Sequence, residues 1–319
     1  MALISIVIPA FNEQDCVPQM VQRLTALPLG EDRLEMIFVD DGSSDGTLAI
    51  LRGLAGGDAR IKYVSFSRNF GHEAALTAGL DHATGEAVIT LDGDLQHPPE
   101  LIPQLLARWR EGNQIVYARR ATSESLPWLK AFTSRMFYKA IRYSSPVDIP
   151  PDTANFRLMD RRAVEQFRRL REHSRFGRAL VAWTGFKTAT VPYEEDKRFA
   201  GATKYNMLKS ARLAVDAFIS FTNLPLVLSL WIGAGFVGLS VLIFLVQIGR
   251  AIVSPWHEFM TGGTLVAFMF FIGGVILVML GIVGAYVSRI YQEAQNRPLY
   301  IVAEKSDTLP PGPQGATHE

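Results

Sequence analysis

The chain has 319 residues, 48% of them hydrophobic, and a formal net charge of +1. This length allows one sizeable α/β domain and a smaller unit. The near-neutral charge argues against nucleic acid as the main partner, because such proteins usually carry a strong basic excess. Cys16 is the single cysteine, which excludes an intrachain disulfide. No basic and apolar leader precedes the first apolar run, Leu3–Ile8, so we expect the N-terminal domain to stay in the cytoplasm.

The first half of the chain alternates short apolar runs with amphipathic stretches. The runs predict five strands, at Leu3–Ile8, Glu35–Val39, Ile61–Phe66, Ala87–Leu91 and Gln114–Ala118. Helices are predicted between them, at Glu13–Ala26, Gly46–Leu54, Glu73–His82 and Pro99–Glu111. Continuous apolar strands that alternate with helices indicate a mainly parallel sheet covered on both faces. In such sheets ligands bind beyond the carboxyl ends of the strands.

Carboxylates follow two of these strands directly. Asp40 and Asp41 end the second strand, and Asp92 and Asp94 follow the fourth. Two carboxylates one residue apart can hold Mg²⁺ or Mn²⁺, which prefer oxygen ligands and bridge protein to diphosphate groups. Each cluster alone has a simpler interpretation as a turn or helix cap, but their common position at strand ends favours a site. Glu13 could accept hydrogen bonds from ribose hydroxyls in the same cleft.

Two long segments without Asp, Glu, Lys or Arg follow, at Ala217–Gly249 and Phe259–Ser288. Within them, Pro225–Gly249 and Leu265–Val287 are each long enough to cross a hydrocarbon core about 30 Å thick. Two buried helices of a soluble protein are the alternative, but soluble core helices rarely run this long without a charge. We therefore predict two membrane spans.

Basic residues are more frequent outside the two spans than in the loop that connects them. Those on the outer sides are Lys204, Lys209, Arg212, Arg289, Arg297 and Lys305, whereas the loop holds Arg250, His257 and Glu258. This bias predicts a protein of the cytoplasmic (inner) membrane with its catalytic domain and both termini in the cytoplasm.

Four segments at predicted strand ends resemble the inverting family 2 glycosyltransferases, which have the GT-A fold: Ser5–Glu13, Val39–Thr47, Ser67–Gly71 and Leu91–Gln96. Three later segments, with the two spans, narrow the resemblance to polyprenyl-phosphate glycosyltransferases: Asn155–Asp160, Arg198–Tyr205 and Arg297–Tyr300. That group is similar to dolichyl-phosphate mannose synthases and to the membrane-bound glucosyltransferases of bacterial O-antigen modification. The resemblance extends to about Val302.

The predicted organisation has four parts. Residues 1–203 form a cytoplasmic GT-A domain, 204–223 an interfacial amphipathic helix, 224–288 a two-helix membrane region and 289–319 a cytoplasmic tail. Two segments, Lys130–Tyr143 and Tyr205–Ile219, mix basic with apolar side chains as interfacial helices do, although a solvated helix packed on the sheet is the alternative. The tail after Ala303 is expected to be disordered because of its composition.

The resemblance implies a nucleotide-sugar donor, with UDP-glucose first and GDP-mannose or another UDP-sugar as alternatives. The implied donor-binding residues are Pro9, Ala10, Glu13, Asp40, Asp41, Asp92 and Gly93. It also implies Mg²⁺ or Mn²⁺ held at the diphosphate by Asp94 with Asp92 close by. Such a metal stabilises the charge of the departing nucleotide.

The resemblance further implies a basic loop, Arg198–Lys204, that closes over the site. Its two cations flank Gly201, so a flexible segment could bring both onto phosphate groups; a solvated surface loop is the alternative. Arg119 and Arg135 are weaker candidates for binding the acceptor or the diphosphate, because each could equally well form a surface ion pair.

Asn155 departs from the pattern, because many relatives carry an Asp there that is often proposed as the catalytic base. An amide cannot take a proton at neutral pH. The domain is then inactive, uses a base elsewhere such as Asp152, or needs none. We favour the last, since a phosphate monoester has a second pKa of about 6 and is already an anion at neutral pH. Asn155 could then orient that phosphate, and Asp92, Asp94 and Asn155 are the catalytic candidates.

The leading interpretation is a membrane-attached, metal-dependent transferase that moves a sugar to polyprenyl (undecaprenyl) phosphate. One alternative is a processive polysaccharide synthase, although its Gln-x-x-Arg-Trp motif is not found in the sequence. Another is a nucleotide-binding pseudoenzyme that scaffolds a membrane complex, for which Asn155 is the main support. Neither His72 nor His97 is assigned a role, and the sequence leaves a homo-oligomer open.

Overall fold

The computed structural model describes residues 1–120, 153–173, 175, 177–194 and 262–310, with helical positions among residues 226–245. The chain divides into two compact units. The first holds the described residues up to 194 together with those from Arg297 onward, and the second holds the described residues between 226 and Asn296.

The first unit is built on one sheet, in which eight strands of the described residues have the order β7-β5-β6-β4-β1-β2-β3-β8. The strands are β1 Leu3–Ala10, β2 Arg33–Asp40, β3 Ile61–Phe66, β4 Ala87–Thr90, β5 Ile115–Arg120, β6 Thr153–Asp160, β7 Thr188–Tyr193 and β8 Val302–Lys305. Strands β4, β1, β2 and β3 run parallel. In contrast, β6 is antiparallel to both of its neighbours and β8 is antiparallel to β3. The predicted mainly parallel α/β sheet is confirmed.

Helices cover both faces of this sheet. They are α1 Val17–Thr25, α2 Thr47–Gly57, α3 His72–His82, α4 Ile102–Arg110, α5 Arg161–Arg169 and α6 Gly177–Trp183. The core on one face joins α1 and α4 to the sheet through side chains such as Met20, Leu105 and Phe156. On the other face α3 packs on β1 and β2, and every residue from Ala74 to His82 is buried. This burial explains why α3 has no polar face.

The sequence-based strands agree with β1 to β5, whose long apolar runs mark them clearly. The helix predicted from Glu13 begins at Val17 instead. Residues 13–16 form a turn, in which the carbonyl of Glu13 accepts hydrogen bonds from the amides of Cys16 and Val17 at 3.0 Å. Asn12 precedes this turn with a positive φ of 56°, a conformation outside the helical region. The chain therefore changes direction between β1 and α1.

The segment Arg297–Pro310, which we call the C-terminal strap, is part of the first unit. Its strand β8 pairs with β3, and the ring of Tyr300 stacks on Phe66 with centroids 5.1 Å apart. Leu309 is buried. The prediction of a disordered tail after Ala303 is therefore wrong for residues 304–310. The edge of β3 offers unpaired backbone groups, and pairing with them outweighs the polar composition of the strap.

The second unit contains helix α7, Gly262–Ala294, which has 33 residues. Its part Phe271–Ala294 is long and apolar enough to cross a membrane, and none of its most apolar stretch is buried. This helix includes most of the predicted span Leu265–Val287. Residues 229–236 are also helical, and Phe236 packs edge-on against Phe271 with ring centroids 5.4 Å apart.

Of the other predicted span, Pro225–Gly249, only helical positions among residues 226–245 are described, so the two-span topology remains a prediction. The two segments predicted to be interfacial, Lys130–Tyr143 and Tyr205–Ile219, lie outside the described residues as well.

Candidate active site

The loops after β1 and β2 are joined by side-chain hydrogen bonds at the carboxyl ends of these strands. The Asn12 amide donates to Ser43 Oγ at 2.9 Å, and Asn12 Oδ1 accepts from the Ser44 amide at 2.8 Å. Asp45 Oδ1 accepts from the amide and hydroxyl of Thr47, the first residue of α2, at 3.0 and 2.6 Å. The two loops therefore form one rigid rim at the carboxyl ends of these strands.

Glu13 lies on this rim and is half-buried. Its amide donates to Thr47 Oγ1 at 2.9 Å. Its side chain hydrogen-bonds the Cys16 thiol, and burial together with that bond raises the pKa of Cys16 to about 12. The thiol therefore stays protonated at neutral pH and is not a nucleophile. Pro9 and Ala10, at the end of β1, are buried beside it.

The carboxylates of Asp40 and Asp41 are buried and point into the loops around them. Asp40 accepts from the Ser43 amide at 3.1 Å and from Ser65 Oγ at 2.7 Å. Asp41 Oδ1 accepts from the first amide of Phe70–Gly71 at 2.7 Å, and its Oδ2 from the second at 3.0 Å. Burial raises the pKa of Asp41 despite these two amides, which lower it. Asp41 thus fixes the loop between β3 and α3, whereas Asp40 ties the loop after β2 to strand β3.

Gly93 brings the loop after β4 against the end of β1. A Cβ atom at this position would stand 2.7 Å from the Pro9 carbonyl oxygen, closer than real Cβ contacts, so only glycine fits. Asp94 follows, with Oδ1 accepting from the Gln96 amide at 3.1 Å, and Leu95 has a positive φ of 61°. The segment Asp92–Asp94 therefore lies beside Pro9 at the rim, as the sequence predicts for neighbouring parallel strands.

Two histidines approach the carboxylate of Asp92. His97 Nδ1 lies 3.6 Å from Asp92 Oδ2 and accepts a long hydrogen bond, 3.4 Å, from the Asp92 amide. Burial lowers the pKa of His97, although Asp92 and Asp94 raise it. The His97 ring is therefore neutral at neutral pH, so it forms no ion pair with Asp92. The His97 ring stacks on Phe156 with ring centroids 5.3 Å apart, and this stacking holds the imidazole in place.

His72 joins Asp92 to Asn155. Its Nε2 lies 3.3 Å from Asp92 Oδ1 and 2.8 Å from Asn155 Nδ2. Arg178 Nε, which can only donate, lies 3.5 Å from Asn155 Oδ1, so the amide nitrogen of Asn155 faces the imidazole. His72 Nε2 accepts that hydrogen bond and has no proton to give to Asp92. Asp92 Oδ1 consequently stays buried without a hydrogen-bond partner.

The orphaned oxygen of Asp92 is the observation that fits a divalent cation. A buried carboxylate oxygen without a donor is costly, and a hard cation would satisfy it. Among the described residues no group of three or more His, Cys, Asp or Glu side chains is arranged to hold a metal ion by itself. Asp92 and Asp94 would therefore be the protein's share of the ligands, and the oxygens of a diphosphate would complete the set, as is common for Mg²⁺.

Of the remaining predicted site residues, the structure describes one. Arg119 is exposed on β5, where it pairs with Thr153 of β6. Arg135, Arg198 and Lys204 lie outside the described residues.

Sequence reasoning missed His72 and Arg178, which contact Asp92 or Asn155, and also Arg157, a charged residue buried on β6. The signal for Arg157 was present, because a charged residue stands between the apolar residues Phe156 and Leu158. The signal for His72 was its position directly after Gly71, the last residue of a segment that carries the family resemblance.

The family comparison places a chain with this fold and rim among the glycosyltransferases. The chain belongs to glycosyl transferase family 2, whose family model matches residues 5–168. It is 40% identical over 304 residues to the uncharacterized glycosyltransferase YkcC of Bacillus subtilis (strain 168), with 93% of this chain and 92% of the relative covered. It is 37% identical over 302 residues to the SfII prophage-derived bactoprenol glucosyl transferase of Shigella flexneri, with 94% and 97% covered.

Among solved structures, the chain is similar to glucosyl-3-phosphoglycerate synthase from Mycobacterium tuberculosis in complex with Mn²⁺, uridine diphosphate and glucosyl-3-phosphoglycerate. The TM-score is 0.46 and the identity 20%, with 67% of this chain and 76% of that chain covered.

Proposed function

We propose that this protein is a membrane-attached, inverting glycosyltransferase that transfers a sugar from a nucleotide-sugar, UDP-glucose first, to polyprenyl phosphate. The observation that carries the proposal is the similarity to a bactoprenol glucosyl transferase along 97% of that protein. Two features of this chain agree with it. The orphaned Asp92 oxygen lies at the rim where a diphosphate would bind, and the exposed apolar helix α7 would lie in the membrane that holds the acceptor.

The donor is proposed to bind along the edge formed by the loops after β1, β2 and β4. Its base and ribose would lie near Pro9, Ala10 and Glu13. Asp41 would act by holding the loop around Phe70, and Asp40 by holding the loop after β2, because their carboxylates already accept internal hydrogen bonds. A bound Mg²⁺ or Mn²⁺, held by Asp94 and Asp92, would supply charge stabilisation for the leaving nucleoside diphosphate. Gly93 would let the diphosphate approach the end of β1.

The reaction is a single displacement at the anomeric carbon. An oxygen of the acceptor phosphate forms the new bond to C1 while the bond from C1 to the diphosphate oxygen breaks, with its electron pair leaving on the nucleoside diphosphate. A phosphate monoester with a second pKa of about 6 already carries the attacking lone pair at neutral pH. No protein base is then required, which agrees with an amide at Asn155.

Asn155 is held in place by His72 and Arg178 on either side of its amide. We propose that it orients the acceptor rather than taking a proton. The basic loop Arg198–Lys204 is proposed to close over the phosphates, with Arg119 and Arg135 as further candidates. The cytoplasmic domain 1–203, interfacial helix 204–223, two-span region 224–288 and cytoplasmic terminus 289–319 complete the proposed arrangement, with product formed on the cytoplasmic leaflet.

A nucleotide-binding pseudoenzyme is the second candidate, and the amide at Asn155 is the observation that favours it. Such a protein would bind the nucleotide diphosphate with Mn²⁺ but make no product. A processive synthase would instead lengthen a polysaccharide.

The deciding experiment incubates the purified full chain in detergent with undecaprenyl phosphate and a panel of labelled nucleotide sugars. Mass spectrometry of the lipid fraction should show one hexose added to the lipid phosphate with one donor preferred. Asp94→Ala serves as the inactive variant, and Asp307→Ala, which removes an exposed carboxylate of the strap, as the matched control. Donor binding without any lipid product in the wild type would contradict the proposal and favour the pseudoenzyme.

A further inference from the structure

A buried arginine lies on the same face of the sheet as Asn155. Arg157 is two residues further along β6, and side chains at this spacing share a face. Only 1% of Arg157 is exposed, and neither Nε nor Nη1 has a hydrogen-bond partner. Burial lowers the pKa of its guanidinium, which Tyr117 and Glu73 raise. Guanidinium groups are almost never left buried without an anion or acceptor, so this side chain needs a partner.

A second unsatisfied donor lies beside it. Tyr117 of β5 is the cross-strand partner of Arg157, and its hydroxyl is buried without a hydrogen-bond partner. Thr90 of β4 is the partner on the other side, and its hydroxyl donates to the Asn155 carbonyl. Arg157 and Tyr117 therefore present unused donors on β6 and β5, the two strands that follow β4 in the sheet.

The first residue of α6, Gly177, lies close to the side chain of Arg157. A Cβ atom at Gly177 would stand 2.5 Å from Glu73 Oε2 and 3.4 Å from Arg157 Nη2, so glycine lets the backbone reach the guanidinium. The next residue, Arg178, is half-buried and points to Asn155 Oδ1. The guanidinium groups of Arg157 and Arg178 thus place two positive charges near Asn155. Glu73 offsets part of this charge, but it provides no hydrogen bond to the unsatisfied nitrogens of Arg157.

We propose that Arg157, Tyr117 and Arg178 form an anion subsite beneath Asn155 that binds the phosphate of the acceptor. A guanidinium offers parallel N–H groups that match phosphate oxygens, and a hydroxyl adds a further donor. The donors that are unsatisfied in the free protein would all be satisfied in the complex. The proposal deepens the proposed function and rests on it, because only a phosphate acceptor needs this subsite in addition to the metal site at Asp92 and Asp94.

The subsite predicts an unusual response to Tyr117→Phe. This substitution removes only a buried hydroxyl without a partner, so the melting temperature should stay the same or rise. The KM for polyprenyl phosphate should rise about tenfold, since a hydrogen bond to a charged ligand is lost. A structural hydroxyl would give the opposite pattern, with lower stability and an unchanged KM, and that result would overturn the subsite.

Arg157→Met and Arg157→Lys give the second test. Methionine has a similar length and removes the charge, and apolar replacements of buried charges often fold well. We expect the acceptor KM to rise at least about a hundredfold with methionine and less with lysine, which keeps the charge but lacks the fork. Affinity for UDP with Mg²⁺, measured by calorimetry, should not change. Arg108→Met, which removes an exposed arginine, is the matched control. If Arg157→Met does not fold, Arg178→Gln tests the same subsite from the rim.

Titration with inorganic phosphate in the presence of UDP separates the two proposals. The wild type could bind phosphate and make no lipid product, while Arg157→Met loses the phosphate binding. That result would support the subsite, although the proposed function would have failed. Normal transfer with an unchanged acceptor KM in Arg157→Met leaves the function standing and overturns the subsite. An equal loss of UDP and acceptor affinity would assign these residues to the donor diphosphate instead, which also overturns it.

Discussion

Tyr300 and Asp81 are joined by a hydrogen bond of 2.8 Å from hydroxyl to carboxylate, although they are 219 positions apart in the chain. Arg171 donates two further hydrogen bonds to the same carboxylate at 2.8 and 2.9 Å. Burial and the adjacent Asp81 carboxylate raise the pKa of Tyr300 well above its ordinary range, so its hydroxyl stays protonated. The C-terminal strap is therefore anchored to α3, the helix that begins at His72.

This anchor predicts a graded loss of stability. Tyr300→Phe removes one hydrogen bond to a charged group and should lower the free energy of unfolding by about 1–3 kcal/mol. Tyr300→Ala also removes the ring that stacks on Phe66 and should cost about 3–5 kcal/mol. Urea unfolding followed by tryptophan fluorescence measures both, and Tyr291→Phe on the exposed side of α7 is the control. Equal stability of Tyr300→Phe and wild type would mean that the anchor contributes nothing.

A second contact of the strap makes its stability depend on pH. His82 is buried, and its Nδ1 donates to the Pro310 carbonyl at 3.0 Å. Burial lowers the pKa of His82 below the ordinary 6.5, so the unfolded chain binds a proton more readily than the folded one. The contribution to stability is complete above about pH 6.5 and is lost as pH falls through the folded pKa, by at most about 1.4 kcal/mol per pH unit.

His82→Asn, which keeps a donor near Pro310 without a titratable ring, isolates this effect. Between pH 7.5 and 5 the melting temperature of the wild type should fall further than that of the variant. Carboxylates with lowered pKa values, such as Glu35, titrate in both proteins. Their contribution to the change in melting temperature is therefore the same in both and cancels in the comparison. Parallel curves would show that His82 is not the source of the acid sensitivity.

Asp94→Ala should abolish transfer and metal-dependent donor binding while the protein still folds. Loss of the metal's charge stabilisation should cost several kcal/mol in the transition state. Asp94 lies at the rim and is half-buried, so its removal leaves the core intact. Turnover above about a tenth of the wild-type rate would remove Asp94 from the metal site, because so small a loss corresponds to only about 1.4 kcal/mol.

Asn155→Asp tests whether the reaction needs a base. If the acceptor is a phosphate, the new carboxylate should not raise the rate and should lower it, since it would repel the incoming anion. A hydroxyl acceptor would instead gain roughly 10²–10⁴-fold from a base. Turnover of both proteins on polyprenyl phosphate is compared between pH 6 and 9. A gain of a hundredfold or more in the variant would overturn the mechanism without a base.

The parts of the fold that the sequence predicts are those specified by local patterns. Strands β1 to β5 are apolar runs, and their carboxyl ends place Asp40, Asp41, Asp92 and Asp94 at one edge. Strand β6 was not predicted because Arg157, a charged residue, interrupts its run. Strand β8 has only four residues, and its partner strand is formed near the other end of the chain. Such pairings depend on tertiary packing, which no local window contains.

The candidate site likewise contains features that the sequence predicts and features that it does not. Motif positions predicted the rim around Asp92 and Gly93, because parallel neighbouring strands must end together. They did not reveal that Asp41 is committed to the Phe70–Gly71 amides, nor that His72 contacts Asp92 and Asn155. These contacts depend on the exact crossing of α3 over the sheet, and a helix that is buried at every residue from Ala74 to His82 carries no periodic signal to reveal it.

The strap also determines when this domain can finish folding during synthesis. Tyr63 of β3 and Ser306 of the strap are bonded across 243 positions. At about 5–20 residues per second, the ribosome needs roughly 12 to 50 s between them. Throughout that time β3 is an uncovered edge, open to pairing with a second nascent chain, and α7 leaves the ribosome before β8 does. A transcript that stops before residue 300 therefore yields an aggregation-prone sheet rather than a smaller working enzyme.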